Sequence, residues 1–368
     1  MASFQKRGKT WEYRISRTVN GKRSPISKGG FATKKAAQVA ANEAENKLHK
    51  GMTPILKSEG FSDYFESWID LYKPAIANNT RERYLNTRKT IADHFGSLLM
   101  KDITKQSYQE FLNQYASTRS RETAKKLNTH IRACVKDAID DGLLHVDFTR
   151  GVRLSGSVPA KRPEEKHLNY NDSVRLIKEL TSNLSAVSHY LIFLALMSGM
   201  RFSELVGLTK SDFNFGAGEI NITKTWGYTN KMHAGFGPTK NPQSVRTIKM
   251  DKSTMEIMQG WIAQLTDTPH NLVFYSPDSK YKVVSNNAVN KSLEHALARL
   301  KIDPISIHGL RHTHASILLY KDVSIYYVSE RLGHSDIETT MEYYAHIIKE
   351  LRIKDEKNTL KVFNGMIK

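Results

Sequence analysis

The chain has 368 residues, 39% of them hydrophobic, and a formal net charge of +18 at pH 7. This length predicts two or three domains, each with enough apolar residues for a core. So large a positive charge indicates a polyanionic partner, most commonly nucleic acid, but histones, ribosomal proteins and polymerases all share it. Charge therefore names no function by itself, and a merely basic soluble protein stays open as an alternative.

The single cysteine, Cys134, excludes an intramolecular disulfide and suits a reducing compartment. It lies in a segment with helical spacing and is predicted to be a core residue. No N-terminal apolar signal region is evident. The most apolar segment, residues 188–197, is too short to span a bilayer and predicts a buried helix. We expect a cytoplasmic protein with no membrane contact.

Residues 1–51 contain twelve lysines or arginines and three acidic residues, a net charge of 12 − 3 = +9. Period-two alternation after Thr10 and the Asn20-Gly21 turn predict a small three-stranded sheet, followed by one helix with Thr33 as its N-cap. The aromatic residues of this part are predicted to form its small core.

A ribbon of two or three strands fits the major groove of DNA, so residues 1–51 are predicted to bind DNA. The alternative is an ordinary solvated basic face. We expect one side of the sheet to carry the DNA-binding residues, which are Lys9, Arg14, Arg17, Lys22, Arg23 and Lys28.

Apolar stripes at helical spacing predict a four-helix domain over residues 60–154, with Asn79-Thr80 as the cap of the second helix. Basic residues concentrate in its second and fourth helices, which predicts contacts with DNA phosphates; ordinary charged helix faces are the alternative. No residue of this domain has a catalytic pattern. Residues 155–167 are predicted to be a flexible connector. The DNA-contacting residues predicted here are Arg81, Arg83, Arg88, Lys125 and Lys126.

The segment 168–368 mixes helical and strand patterns and predicts an α+β domain. Helices are expected over 168–180 (with Asn171 as a cap), 189–198, 252–266 and 285–300. Strands are expected over 218–226, 244–250 and 271–276.

An arginine, Arg201, stands two residues after the glycine that follows the apolar helix, so it is expected inside the domain, where it requires a partner. Glu204, three residues on, is the candidate. Lys240 lies near a turn between two predicted strands, where a lysine is more often simply solvated.

The stretch 306–346 contains five histidines, two arginines and the adjacent tyrosines Tyr343 and Tyr344. If a helix begins here, His308 and Arg311 lie on one face near its positive end, an arrangement suited to a phosphate. A metal site is not indicated, because the stretch lacks HExxH, supporting cysteines and a carboxylate cluster. What remains is a tyrosine among cations, and a phenol that attacks a phosphate requires such cations on the nonbridging oxygens.

The segments GMRFSEL, PTKN…SVR, HGLRHTHAS, LGHSDIETT and YYAH, in this order, resemble the signature boxes of the tyrosine recombinase (phage-type integrase) family. The similarity covers the catalytic domain from about residue 168. The helical domain resembles the core-type DNA-binding domain of the family. The basic N-terminus resembles the arm-type domain of integrases from phages and integrative conjugative elements of Gram-positive hosts.

The resemblance implies that Arg201 and Arg311 clamp the scissile phosphate and that Glu204 orients Arg201. Lys240 corresponds to the general acid for the 5′-hydroxyl leaving group, with Lys224 and Lys231 as alternatives in this variable region.

His308 corresponds to a general acid–base or hydrogen-bond partner, and His334 to a residue that hydrogen-bonds the phosphate. Tyr344 corresponds to the nucleophile that forms a 3′-phosphotyrosyl bond. Tyr343 is the alternative, but Tyr344 is preferred because it stands two residues before a histidine, as in the usual family box. His312 and His314 are predicted to be structural.

The implied function is a site-specific integrase of a mobile element that works through a Holliday junction in a synaptic homotetramer, without metal or cofactor. The expected partners are double-stranded DNA at core and arm attachment sites. An excisionase and host DNA-bending proteins are further candidate partners. The alternatives are a type IB topoisomerase-like nicking–closing enzyme and a non-catalytic DNA-binding protein on the same fold. The tail after His346 is expected to pack on a neighbouring protomer or on its own domain.

Overall fold

The computed structural model describes residues 2–19, 22–49, 60–159, 163–266, 268–338, 340, 341, 356, 359, 360 and 364. The chain divides into two compact units, residues 1–160 and 161–368. No described helix is long and apolar enough to cross a membrane. The architecture is mainly helical with small sheets, as predicted.

The first unit begins with a small sheet and one helix. Its elements are β1 (Ala2–Arg7), β2 (Thr10–Ile15), β3 (Thr18–Val19), β4 (Lys22–Arg23), β5 (Ile26–Phe31) and α1 (Lys34–His49). Three strands form an antiparallel sheet with order β1-β2-β5, and α1 packs on one of its faces. Thr33 caps α1 as predicted, since its Oγ1 accepts a hydrogen bond from the Ala36 amide.

The predicted basic residues do not all lie on one side of this sheet. Tyr13 and Ile15 of β2 are buried with α1, so Arg14 between them points to the open face. Lys28 pairs with Tyr13 in the register and therefore belongs to the helix side, although it is exposed. Arg17 donates from Nε to the Ser24 carbonyl at 3.2 Å, within the extension formed by β3 and β4.

Four helices follow, as predicted: α2 (Phe61–Tyr72), α3 (Asn78–Phe95), α4 (Lys105–Ala116) and α5 (Arg121–Asp140). Their core contains fully buried aromatic side chains such as Phe61, Trp68 and Tyr108, and Cys134 is fully buried beside them, as expected. The predicted cap at Asn79-Thr80 is wrong. Helix α3 begins one residue earlier, so both residues lie inside its first turn.

The second unit packs helices around a small antiparallel sheet. Its elements are α6 (Tyr170–Ser182), α7 (Val187–Ser198), α8 (Phe202–Leu205), β6 (Phe213–Asn214), β7 (Glu219–Ile222), β8 (Thr225–Trp226), β9 (Phe236–Gly237), β10 (Arg246–Lys249), α9 (Lys252–Gln264), α10 (Asn286–Arg299), α11 (Ile307–Tyr320) and α12 (Ile325–Leu332). The sheet has the order β10-β7-β6. Helix α7 is the centre of this core, because eight of its twelve residues are buried.

Two local predictions in this unit are wrong. Asn169, not Asn171, caps α6, since its side chain accepts a hydrogen bond from the Asp172 amide at 2.9 Å. Residues 271–276 form no strand. His270 and Asn271 have positive φ, and only isolated bridges follow, although Val273 and Phe274 are fully buried. The apolar run there reflects a core position, not a place in the sheet.

Candidate active site

Arg201 stands where α7 ends and α8 begins. Helix α7 terminates at Gly199, which has the left-handed conformation (φ 67°) that glycine adopts without strain. The Arg201 guanidinium donates from Nη1 to Glu204 Oε1 at 2.8 Å and from Nη2 to the Gly333 carbonyl at 2.9 Å. The expected Arg201–Glu204 pair is therefore present.

Glu204 serves two arginines at once, the second being Arg246 on β10. It accepts from Arg246 Nη2 at 3.0 Å through Oε2, which also accepts from the Arg201 amide at 3.0 Å. Burial alone would raise the pKa of Glu204, but the charges of Arg246 and Arg201 outweigh it and lower the pKa. The carboxylate is therefore ionised and fixes both side chains.

Helix α11 carries the second arginine and its histidine. Ser306 caps the helix by accepting from the Gly309 amide at 3.3 Å, which places His308 and Arg311 on its first turns. Arg311 is 3% exposed and donates to the carbonyl oxygens of Gly199 at 2.8 Å and Leu332 at 2.7 Å. Its charge is thus held largely by helix-end carbonyls of α7 and α12.

His308 lies within the electrostatic reach of the other predicted site residues. Burial lowers its pKa first, and the positive charges of Arg311, Arg201 and Lys240 lower that pKa further. The imidazole is therefore neutral at pH 7, with one nitrogen able to donate and the other able to accept a hydrogen bond. The structure thus brings together four of the predicted residues.

His334 follows the left-handed Gly333 that ends α12. Burial and the charges of Arg311 and Arg201 lower its pKa to about 3. Its Nδ1 lies 2.6 Å from Oγ1 of Thr340, a fully buried side chain. Thr340 therefore fixes the ring orientation of His334 and leaves its Nε2 for another partner.

Lys240 and its alternatives differ in their surroundings. Lys240 is exposed and makes no hydrogen bond or ion pair within the described part of the chain. Lys224 donates to both carboxylate oxygens of Asp212, at 2.7 Å and 2.5 Å, so its charge is already compensated. Lys231 is exposed, and no contact within the described ranges places it near the arginines, whereas the charge of Lys240 acts on His308. This difference favours Lys240.

His312 and His314 differ in position. The ring of His312 meets that of His308 edge-on, with centroids 4.9 Å apart, and burial with neighbouring positive charges lowers its pKa to about 4. His314 is buried between Leu196, whose carbonyl contacts Nδ1 at 2.9 Å, and Arg331, which donates from Nε to Nε2 at 3.0 Å. Burial lowers the pKa of His314 to about 3. It joins α7, α11 and α12.

The predicted DNA-contacting residues of the helical domain fall into two groups. Arg81 pairs with Asp70 and Arg88 pairs with Glu66, each at 2.9 Å, and both carboxylates belong to α2. Contacts of these two with DNA stay a prediction and would have to compete with the ion pairs. No ion pair involves the second group within the described ranges, namely Arg83, Lys125 and Lys126.

Tyr343, Tyr344 and His346 lie outside the described residues, as does the side chain of Lys22. Within the described ranges, no three histidines, cysteines or carboxylates are grouped so that they could hold a metal ion.

Sequence reasoning missed three residues that hold the site: Arg246, Ser244 and Thr340. Each lies in a segment that carries the family resemblance, SVR or LGHSDIETT, and each has its side chain largely buried. The place in these segments was the available signal, but it does not say which residue each side chain holds.

Comparison with family models gives three matches along the chain. The phage integrase family model matches residues 166–350, the N-terminal SAM-like domain of phage integrases matches residues 60–115, and an arm DNA-binding domain matches residues 3–48. The chain therefore belongs to the phage integrase, or tyrosine recombinase, family.

Relatives and solved structures agree with this assignment. The integrase of Staphylococcus phage L54a is 23% identical over 342 residues, 83% of this chain and 94% of that protein. The Tn1549 transposon integrase, in complex with circular intermediate DNA, shares the fold with a TM-score of 0.68 at 17% identity, over 82% of this chain and 99% of the other. A lambda integrase tetramer bound to a Holliday junction matches with a TM-score of 0.56 at 17% identity, over 92% and 96%.

Proposed function

We propose that this protein is a site-specific recombinase that integrates and excises a mobile element by cutting and rejoining DNA. The observation that carries the proposal is the convergence of Arg201, Arg311, His308 and His334 around one place, with Lys240 close enough to lower the pKa of His308. These residues combine positive charge with neutral hydrogen-bonding groups. Both are needed to stabilise the negative charge that develops on a phosphodiester during its transfer.

The proposed reaction needs no high-energy cofactor, because the phosphotyrosyl ester keeps the energy of the phosphodiester bond. The phenol oxygen of Tyr344 attacks the scissile phosphorus, and its proton goes to a base of the site, for which neutral His308 is the candidate. The P–O5′ bond breaks, and the departing 5′ oxygen takes a proton from Lys240. The product is a 3′-phosphotyrosyl ester and a free 5′-hydroxyl, and the 5′-hydroxyl of a partner strand reverses these steps.

The two arginines supply the charge for the pentacoordinate state. Both guanidinium groups are oriented before DNA arrives, by Glu204 and by main-chain carbonyls. His334 is proposed to donate from Nε2 to a nonbridging oxygen, since its Nδ1 is engaged with Thr340. An array fixed in advance does not have to reorganise as charge develops, which is the main source of electrostatic catalysis.

The proposed partners are double-stranded DNA at core and arm attachment sites and three further copies of the chain in a synaptic tetramer. The matches to an arm DNA-binding domain and to a SAM-like domain support the two DNA contacts. The likeness of the fold to a lambda integrase tetramer on a Holliday junction supports the tetramer.

A nicked suicide substrate carrying the attachment site tests the proposal. Wild type should trap a covalent DNA adduct, Tyr344→Phe should trap none, and Tyr343→Phe should behave as wild type. Binding without any adduct would show a non-catalytic DNA-binding protein. Relaxation of any supercoiled plasmid, without strand exchange between two sites, would indicate a nicking–closing enzyme. An adduct formed by Tyr344→Phe but not by Tyr343→Phe would move the nucleophile to Tyr343.

A further inference from the structure

The Lys240 side chain is exposed and makes no hydrogen bond or ion pair within the described part of the chain. Its position is therefore set only by the backbone that carries it. A lysine side chain has four rotatable bonds, so an unanchored ammonium group samples many positions. The place of the Lys240 ammonium therefore depends on how firmly residues 239–244 are held.

The turn that follows Lys240 is tied to the first arginine of the site. Ser244 ends a single 3-10 turn over Pro242–Ser244 and is completely buried. Its Oγ accepts a hydrogen bond from Arg201 Nη1 at 3.0 Å. Because a guanidinium only donates, the Ser244 hydroxyl proton is available for another acceptor, and it goes to Oδ1 of Asn241, the residue next to Lys240.

Asn241 is anchored by its main chain as well. Its carbonyl accepts from the Ser244 amide at 3.0 Å and from Thr239 Oγ1 at 3.0 Å. Both neighbours of Lys240 thus belong to one hydrogen-bonded turn, and that turn is connected to Arg201 through the hydroxyl of Ser244.

The same turn packs closely against the backbone that precedes His334. A Cβ added to Gly333 would lie 3.0 Å from the Ser244 Cα and 3.0 Å from the Gln243 carbonyl oxygen. The Gly333 carbonyl in turn accepts from Arg201 Nη2 at 2.9 Å. Ser244 therefore stands where the elements carrying Arg201, Lys240 and His334 meet.

From these contacts we infer that Asn241 and Ser244 are positioning residues for the leaving-group acid. The chain Arg201–Ser244–Asn241 sets the place of Lys240 relative to the arginine that binds the phosphate. Neither residue touches the reacting atoms in this scheme. The inference rests on the proposed function, because it concerns the proton that Lys240 gives to the 5′ oxygen.

Asn241→Ala isolates this connection. It removes the acceptor of the Ser244 proton, while Ser244 can still accept from Arg201 and can turn its hydroxyl to the Gly333 carbonyl, 3.4 Å away. The phosphate clamp stays in place and only the lysine turn is released. Gln243→Ala is the matched control, since Gln243 lies in the same turn with its side chain exposed and outside this network.

The experiment compares single-turnover cleavage of two nicked suicide substrates. One has the ordinary scissile phosphodiester, and the other has sulfur in place of the bridging 5′ oxygen. A thiolate leaves without a proton, so the sulfur substrate does not depend on a general acid. Lys240→Ala should be slow on oxygen and close to wild type on sulfur.

Asn241→Ala should lose about tenfold on the oxygen substrate and recover on sulfur, and in combination with Lys240→Ala it should cause no further loss. Gln243→Ala should match wild type on both substrates. Equal slowing of Asn241→Ala on oxygen and sulfur, or no slowing on either, overturns the inference, as does additivity with Lys240→Ala. If wild type forms no adduct with either substrate, the proposed function itself fails, which is a separate outcome.

Discussion

Glu204 is the carboxylate that compensates the positive charge of two arginines of the site. It is 1% exposed, and its two carboxylate oxygens are shared between Arg201 and Arg246. Two guanidinium groups close to one carboxylate leave a net positive charge beside the place proposed for the phosphate. A buried cluster of this kind is stable only while its members compensate one another.

Replacing this carboxylate with an amide is therefore expected to be costly. Glu204→Gln should destabilise the protein by about 3 kcal/mol or more, because two largely buried guanidinium groups lose their counter-charge. Chemical denaturation measures this loss. Glu179→Gln is the control, since Glu179 forms a 2.7 Å pair with Arg299 that is partly exposed on both sides. That variant should lose less than about 1 kcal/mol. Similar losses in both variants would contradict the central role of Glu204.

Among the elements, helix α11 joins the site to the core. One face of its first turns presents His308 and Arg311, and one turn further His314 reaches between α7 and α12. Arg331 donates to His314 Nε2, so this nitrogen must be unprotonated and the ring proton is on Nδ1, facing the Leu196 carbonyl. The contact of three helices thus depends on a neutral imidazole.

Acid should loosen this contact. The pKa of His314 is about 3 in the folded protein and near 6.5 when unfolded, so the unfolded chain binds the extra proton between these values. Stability is therefore unaffected above pH 6.5 and falls as the pH decreases, by roughly 2 kcal/mol at pH 5 from this residue.

Unfolding free energies at pH 7.5 and pH 5, for wild type and His314→Gln, measure this effect. The variant should be less stable at pH 7.5, since it loses one of two hydrogen bonds, but its stability should fall less between the two pH values. An unchanged fall in the variant would mean that other histidines account for the effect.

The elements also show what a sequence can and cannot predict. The three-stranded sheet, the four helices and the buried Arg201–Glu204 pair were predictable, because period and burial leave a direct trace in residue order. The absence of a strand at 271–276 was not, since a buried run in a loop has the same composition as a strand. The links of Ser244 to Arg201 and of Arg246 to Glu204 join residues more than 40 positions apart, and no local pattern encodes such pairs.

At the scale of the whole molecule, positive charge is distributed unevenly along the chain. Half of the net charge of +18 belongs to residues 1–51. In the N-terminal sheet, Arg14 is on the open face, whereas Lys28 is on the side of α1. If the open face docks on DNA, Arg14 contributes more to DNA binding than Lys28 does. The sequence alone does not distinguish these two exposed cations.

Measured affinity for arm-site DNA should separate them. Arg14→Gln should weaken binding and reduce the slope of log affinity against log salt by about 1, because one phosphate contact is lost. Lys28→Gln removes the same charge from the other face and should leave the slope nearly unchanged. Equal effects of the two variants would show that the open face is not the docking surface and that general charge attracts the DNA.

The helix ends at Gly199 and Gly333 have a consequence for selectivity. Their carbonyls, with that of Leu332, accept hydrogen bonds from Arg201 and Arg311, so the guanidinium groups are oriented whether or not DNA is present. Under the proposed function, a receptor fixed in this way fits the phosphate of any nucleotide step, since phosphates carry no base identity. The chemistry would then not distinguish a target site from the rest of a genome, and discrimination would have to come from the parts of the protein that read base edges.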